Sequence, residues 1–165
     1  MRDPNLVLTR DDGSVYLKRW HVIPRNKLFN IYLHQFLGSD DDRALHDHPW
    51  WFASLVLKGG YYEHFGDGYA HKGDGVGYYK WRRPGSFALR KANTAHRVEL
   101  AIAGAKHVET IFDANNLQPV RFKYKAIEKP AWTLIFTGPK IRSWGFHCPQ
   151  GWIHWRQFDK QNGCE

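Results

Sequence analysis

Two imidazoles placed two residues apart are the first feature of this sequence that could do chemistry. In Leu45-His46-Asp47-His48-Pro49, the alternation of side chains along an extended strand puts residues i and i+2 on one face. The rings of His46 and His48 can then reach a single ion. Imidazole nitrogen suits Zn, Fe, Ni or Cu(II), and a catalytic centre keeps coordination positions open for water or substrate. Two ligands alone hold an ion weakly. A third is available at His96, where Pro84-Gly85, a short strand and a second turn lead to a lone histidine. The plain alternatives are surface histidines near a turn for His46 and His48, and a hydrogen-bonded histidine at a barrel mouth for His96. Taken together, the three are read as ligands to one divalent metal. Asp47 must point away from them if the strand is regular, so it is read as structural.

Short β-strands must position these residues. Val15 to Ile23, Leu28 to Leu37, Trp50 to Leu57, Gly60 to His64, Ser86 to Leu89, His96 to Leu100, His107 to Phe112, Arg121 to Ile127 and Trp132 to Thr137 are rich in β-branched and aromatic residues. Gly38-Ser39-Asp40, Gly59-Gly60, Gly66-Asp67-Gly68, Pro84-Gly85, Ala114-Asn115-Asn116 and Gly138-Pro139 punctuate them as turns. No segment of a dozen residues keeps an apolar period near 3.6, so any helix should be short and peripheral. The expected fold is all-β, a sandwich or a closed antiparallel barrel, since closure removes the edges that such aromatic strands would expose. Length fits one domain over 1–165. Within it, 1–14 reads as an N-terminal arm ending in a turn, 28–100 as the motif-bearing core, and the aromatic 140–165 as a segment packing back over the barrel.

An HxH pair, a strand ending in Gly59-Gly60, a Pro-Gly turn and a later histidine together resemble the paired motifs of the cupin superfamily. The likeness covers roughly Leu28 to Leu100 and implies a small antiparallel double-stranded β-helix with the metal inside, on His46, His48 and His96. The HDHPWWF segment, the GGYYEH hairpin and the Trp-rich closing segment are also similar to a group of bacterial and phage cupin-like proteins with no assigned reaction. One departure is informative. The superfamily's glutamate that follows the HxH falls at Phe52 or Ala53 here, neither of which can ligate. An all-histidine site then resembles that of the thiol dioxygenases in the same superfamily. Glu63 is the candidate replacement: a hairpin at Gly59-Gly60 would pair Val56 with Glu63 and turn the carboxylate to the histidine face, as a fourth ligand or an acid/base. A slip of one residue would turn it outward.

Other clusters are weighed against simpler readings. His147, Cys148 and His154 carry soft ligand types, but their spacing fits no standard zinc motif. Asp40, Asp41 and Asp42 read as an exposed turn, or as acceptors that orient a ligand histidine. Arg97 and Glu99 alternate with His96 and should form an outward ion pair. Trp144, Trp152 and Trp155 read as a lid or plug. Only two cysteines occur, so a disulfide framework is not expected.

Composition narrows the function classes. The polar N-terminus lacks a secretory core and no apolar run approaches the roughly 20 residues of a membrane span, so a soluble cytoplasmic protein with no membrane partner is expected. A net charge of +8, from 24 Lys and Arg against 16 Asp and Glu, favours anionic partners. The basic clusters Lys80 to Arg83 and Arg121 to Lys125 are interleaved with aromatics, which usually marks a solvated face; nucleic acid is the lesser option. Two functions from different classes follow. One is a mononuclear non-haem metal dioxygenase, with Fe(II) preferred over Zn, Ni or Mn, acting on a small anionic substrate while Glu63, Tyr62 or His64 handles protons. The other is a non-catalytic metal-containing module that binds a sugar, nucleotide or nucleic acid. A metal-free isomerase is a third option, and a homodimer is compatible with either of the first two.

Overall fold

The computed structural model describes residues 2–10, 12–40, 44–66, 77–112, 119–159 and 163–164. The turns expected at Asp67-Gly68 and Ala114-Asn115-Asn116, and Asp41 and Asp42, lie outside them. Among the described residues there is no helix, short or otherwise, and all strand pairing is antiparallel. The first fourteen residues are more than an arm, because β1 (Leu6–Thr9) pairs with β2 (Val15–His21) across a turn in which Gly13 has φ 78°.

The remaining elements are β3 (Asn30–Phe36), β4 (Leu45–His46), β5 (Phe52–Lys58), β6 (Tyr61–Gly66), β7 (Gly77–Arg82), β8 (Phe87–Arg90), β9 (His96–Leu100), β10 (Ile102–Phe112), β11 (Pro119–Glu128), β12 (Ala131–Thr137), β13 (Gly145–Cys148) and β14 (Gly151–His154). Two six-stranded sheets run in the orders β1-β2-β3-β12-β5-β8 and β14-β13-β4-β9-β6-β7. From β3 to β9 the chain changes sheet at each step except β6 to β7, and β12 then returns between β3 and β5. That path is the two-Greek-key order of an eight-stranded jelly roll, the architecture of the double-stranded β-helix. Between its last two strands, β10 and β11 form a separate two-stranded ribbon.

Period-2 alternation explains which residues face inward. Tyr61, Glu63 and Phe65 of β6 are buried, with Tyr62 and His64 turned the other way; His96, Val98 and Leu100 of β9 are buried in the same manner. Val56, Tyr61, Val98, Leu100 and Ala131 form one apolar cluster between the sheets, with Phe36 packed on it. Each of the buried valines and Leu100 contributes about 1.5–3 kcal/mol. The expected Val56–Glu63 hairpin does not form: β5 pairs with β12 and β8, whereas β6 pairs with β7 and β9. Gly59-Gly60 instead carries the chain from one sheet to the other. Gly59 has φ 76°, and a Cβ there would lie 2.3 Å from the Pro130 carbonyl oxygen, so only glycine fits the crossover.

A second cluster, Ala44, Phe146, Cys148, Phe158 and Cys164, lies beneath Trp144 and Ile153. Cys148 and Cys164 are joined as a disulfide with Cα atoms 5.3 Å apart, which corrects the expectation drawn from cysteine number. Both are buried, and strand β13 brings Cys148 against the end of the chain, a proximity that a separation of 16 residues does not reveal.

Candidate metal centre

His46 and His96 meet as a cross-strand pair between β4 and β9. His48 follows two residues on, its backbone N–H donating to the Ala92 carbonyl at 3.0 Å. The three ring centroids stand 5.1–5.2 Å apart, and one nitrogen from each falls within 4.8 Å of the other two. Nε2 of His48 lies 2.8 Å from Nε2 of His96. The sequence spacing thus brings all three imidazoles to one point, on the wall of an internal cavity of about 130 Å³.

Burial disfavours the charged form of His46 and His48. It lowers His46 to about 4, more than offsetting the nearby Asp40 carboxylate, and drives His48 well below the ordinary imidazole value, reinforced by His96 and His46. Neutral imidazole is the form that ligates. The donor set therefore suits a divalent ion bound through nitrogen, at about 2.0–2.1 Å per bond for zinc.

Behind the rings stand carboxylates. Glu63, 2% exposed, places Oε1 3.1 Å from Nδ1 of His96. This leaves Nε2 of His96 for the cavity, the arrangement by which an outer carboxylate fixes a metal-binding imidazole. The same carboxylate accepts from Arg82 Nε at 2.6 Å, Arg90 Nε at 3.0 Å and Arg90 Nη2 at 2.7 Å. Burial acts to raise its pKa, but His96 and Arg90 prevail and hold it at about 2. Glu63 thus faces the histidines as the sequence suggested, though by a different strand pairing. Both of its oxygens are occupied by guanidinium groups. Asp40, which accepts from the Val98 N–H at 2.7 Å, stands 4.0 Å from Nδ1 of His46.

Tyr62 and His64, expected to handle protons, are not on the cavity. They alternate with Glu63 and so share the outer face. Tyr62 packs on Trp81 and Tyr79, and His64 Nε2 lies 3.2 Å from Glu99, which also pairs with Arg97 at 3.2 Å.

Asp47 points away from the ligands, as alternation requires, and is completely buried. It accepts from Gly145 N at 2.9 Å, Trp152 Nε1 at 3.0 Å and Arg142, and lies 3.2 Å from His147 Nε2. Those contacts hold its pKa low against the opposing effect of burial. His147 and Cys148 are thereby engaged separately, one with Asp47 and the other in the disulfide, while His154 contacts Ser143.

Sequence reasoning missed Arg19 and His34, which line the same cavity from β2 and β3. Arg19 Nε donates to His34 Nε2 at 2.8 Å. Strand parity could have found them, because Leu17 and Arg19, like Tyr32 and His34, share inward faces.

A jelly roll with a cluster of three histidines on a cavity between its sheets is the class that fold and site define. No family model and no curated protein matches the chain. Among solved structures it is similar to a Klebsiella pneumoniae protein described as having a double-stranded beta-helix domain, at 14% identity and a TM-score of 0.47 over 84% of this chain and 90% of that one. It is similar also to Fe(II) HppE, at 13% identity and 0.47, covering 80% of this chain and 55% of that protein. A third is Bacillus subtilis oxalate decarboxylase, at 14% identity and 0.47, covering 88% and 30% respectively. The chain thus spans about half of the second and a third of the last. No helix among the described residues is long and apolar enough to cross a membrane.

Proposed function

We propose that this chain is a metal-dependent enzyme of cupin type, in which His46, His48 and His96 hold one divalent ion, Fe(II) in preference to Zn, Ni or Mn, and which oxidises a small anionic substrate as a mononuclear dioxygenase. The observation that carries this reading is the convergence of three imidazoles on one cavity, with Glu63 behind one of them. Bound by neutral ligands, such an ion would keep its full charge and act as a Lewis acid toward substrate and oxygen.

The chain's own residues prepare that site. Glu63 fixes the His96 ring, and Asp47 anchors the strand between the other two ligands to β13 and β14. Phe52, edge-on to His48 with centroids 4.6 Å apart, and Tyr61 line the cavity. Burial and the neighbouring Glu63 raise the Tyr61 phenol to about 12, so it stays protonated. Glu63 is locked by two arginines and Asp40 is tied to Val98. The cavity therefore favours chemistry in which the ion activates the reactants over chemistry driven by a free carboxylate base.

The test is metal analysis of the purified protein beside His46→Ala and His96→Ala, followed by oxygen uptake with Fe(II) and a panel of thiols, diketones and hydroxy acids. One equivalent of metal, lost in both variants, and uptake with at least one substrate are expected. Metal retained in either variant would refute shared coordination. Stoichiometric metal with no oxygen uptake would favour a binding module, whose nucleic-acid form would show salt-dependent shifts with RNA or DNA oligomers.

A further inference from the structure

The sheet β1-β2-β3-β12-β5-β8 is apolar on the side turned away from the cavity. Leu17, Tyr32, Phe52, Ser54 and Thr137 line the cavity, so the residues that alternate with them on the same strands face outward. Strand register aligns those outer residues into rows. Trp20, Leu33, Leu134, Leu55 and Phe87 are paired in turn across β2, β3, β12, β5 and β8. Ile31, Phe136, Ala53 and Leu89 run beside them across β3, β12, β5 and β8. Neither row contains a charged side chain. An antiparallel sheet with one face in water alternates apolar-in with polar-out, and these strands lack that alternation.

The outer rows are less covered than the inner face. Phe87 and Leu89 are 62% and 63% exposed. Leu33, Leu55 and Leu134 are half-buried, whereas Val56 and Thr133, on the inner side of the same sheet, are 1% and 0% exposed. Outer rings shield one another from the side: Trp20 stacks on Trp132 with centroids 5.5 Å apart, and Phe29 on Phe136 at 6.4 Å.

Size and charge select the occupant. Five strands about 4.8 Å apart, carrying three outward rows about 6.7 Å apart, make a face on the order of 500 Å². Two such faces in contact would bury about 1,000 Å², the level that a specific interface has to reach. The third row, Lys18, Gln35, Trp132 and Lys58, puts two lysines along one border. An anionic lipid surface is held by a cluster of about four to eight Lys and Arg, and two fall short of that. An uncharged centre meets its own copy without like-charge repulsion, and a two-fold axis sets the same patch on both partners. Sheets stacked in this way pack about 10 Å apart.

We propose that this face docks a second copy of the chain, sheet on sheet, in a two-fold dimer centred on the row from Trp20 to Phe87. The inference rests neither on metal binding nor on any reaction.

The test is sedimentation velocity of the full chain from about 1 to 100 µM, because an interface of this area gives a dissociation constant on the order of micromolar. A monomer–dimer equilibrium is expected. It should tighten as salt rises, since each copy carries a net charge of +8 and screening relieves the repulsion between copies. Phe87→Lys, at an exposed position on the edge strand β8, should weaken association at least about 30-fold, because the two-fold axis presents the buried ammonium twice. Leu134→Lys, at the centre of the face, should do the same; Phe87→Lys decides the matter if Leu134→Lys does not fold. Tyr79→Lys, at a position 65% exposed on the outer side of the other sheet, should change association by less than about twofold. The proposal is overturned if the wild type stays monomeric throughout, if Phe87→Lys dimerises like the wild type, or if Tyr79→Lys weakens association as much. A monomeric wild type that binds phosphatidylserine vesicles would assign the face to lipid instead.

Discussion

Replacing Glu63 with glutamine tests whether the carboxylate behind His96 supports the histidine cluster. The wild-type side chain is 2% exposed and Arg82 is 6% exposed; three guanidinium nitrogens lie within 3.0 Å of the Glu63 oxygens. Glu63→Gln keeps the volume but leaves Arg82 and Arg90 without their shared counter-ion. It also turns an amide donor toward guanidinium donors. Breaking a buried pair by removing one partner costs about 3–5 kcal/mol. Arg90 has some access to solvent, so the lower end applies, about 3 kcal/mol. For a domain of this size that corresponds to a fall in Tm of roughly 6–12 °C. Metal affinity should fall by about 10–100-fold, the usual effect of losing a carboxylate that orients a ligand histidine. Thermal unfolding of the metal-free protein gives the first quantity, and competition with a chelator gives the second. Tyr62→Phe and His64→Ala, on the outer face, serve as controls and should leave metal affinity within about twofold. If Glu63→Gln binds metal like the wild type, or if the controls weaken binding as much, the assignment of Glu63 as the support of His96 is wrong.

Two further outcomes are expected. His34 has a depressed folded-state pKa, caused first by burial and then by Arg19, so its contribution to stability is complete above an unfolded value of 6.5 and is lost as pH falls below it. Denaturation of wild type and His34→Gln at pH 7.5 and pH 5 should show the smaller decline in the variant; an equal decline would refute a neutral buried His34. Cys164→Ser should destabilise the protein by about 3 kcal/mol, the loop-closure value for some 15 residues, and a reducing agent should affect the wild type alone, as read by the denaturation midpoint.

The strands were legible because period-2 alternation and turn residues are local. His96-Arg97-Val98-Glu99-Leu100 shows both faces of β9 at once, and His46 and His48 share a face for the same reason. Local signals could not say which strand lies beside which. Gly59-Gly60 marks a reversal equally well in a hairpin and in a crossover between sheets, so Val56 seemed a partner for Glu63 when His96 and Arg90 were the true neighbours. The outward placement of Tyr62 and His64 was available in principle, since both alternate with a residue expected to face in. Strand β7 lies just after a glycine-rich stretch that masked its start, and β4 is too short to carry a pattern of its own. The Cys148–Cys164 bond leaves no trace in spacing, because it depends on how the closing segment packs.

Strand β4 is only two residues long, and β13 flanks it opposite β9 with Phe146 beside His46. Asp47, the very next residue, is gripped by Arg142, Gly145 and Trp152. The far end of the polypeptide therefore acts as a keystone for a histidine pair encoded a hundred positions earlier. Trimming that end, or opening the Cys148–Cys164 bond that fastens it, would loosen the grip on His46 and His48 without altering a single atom of either ring.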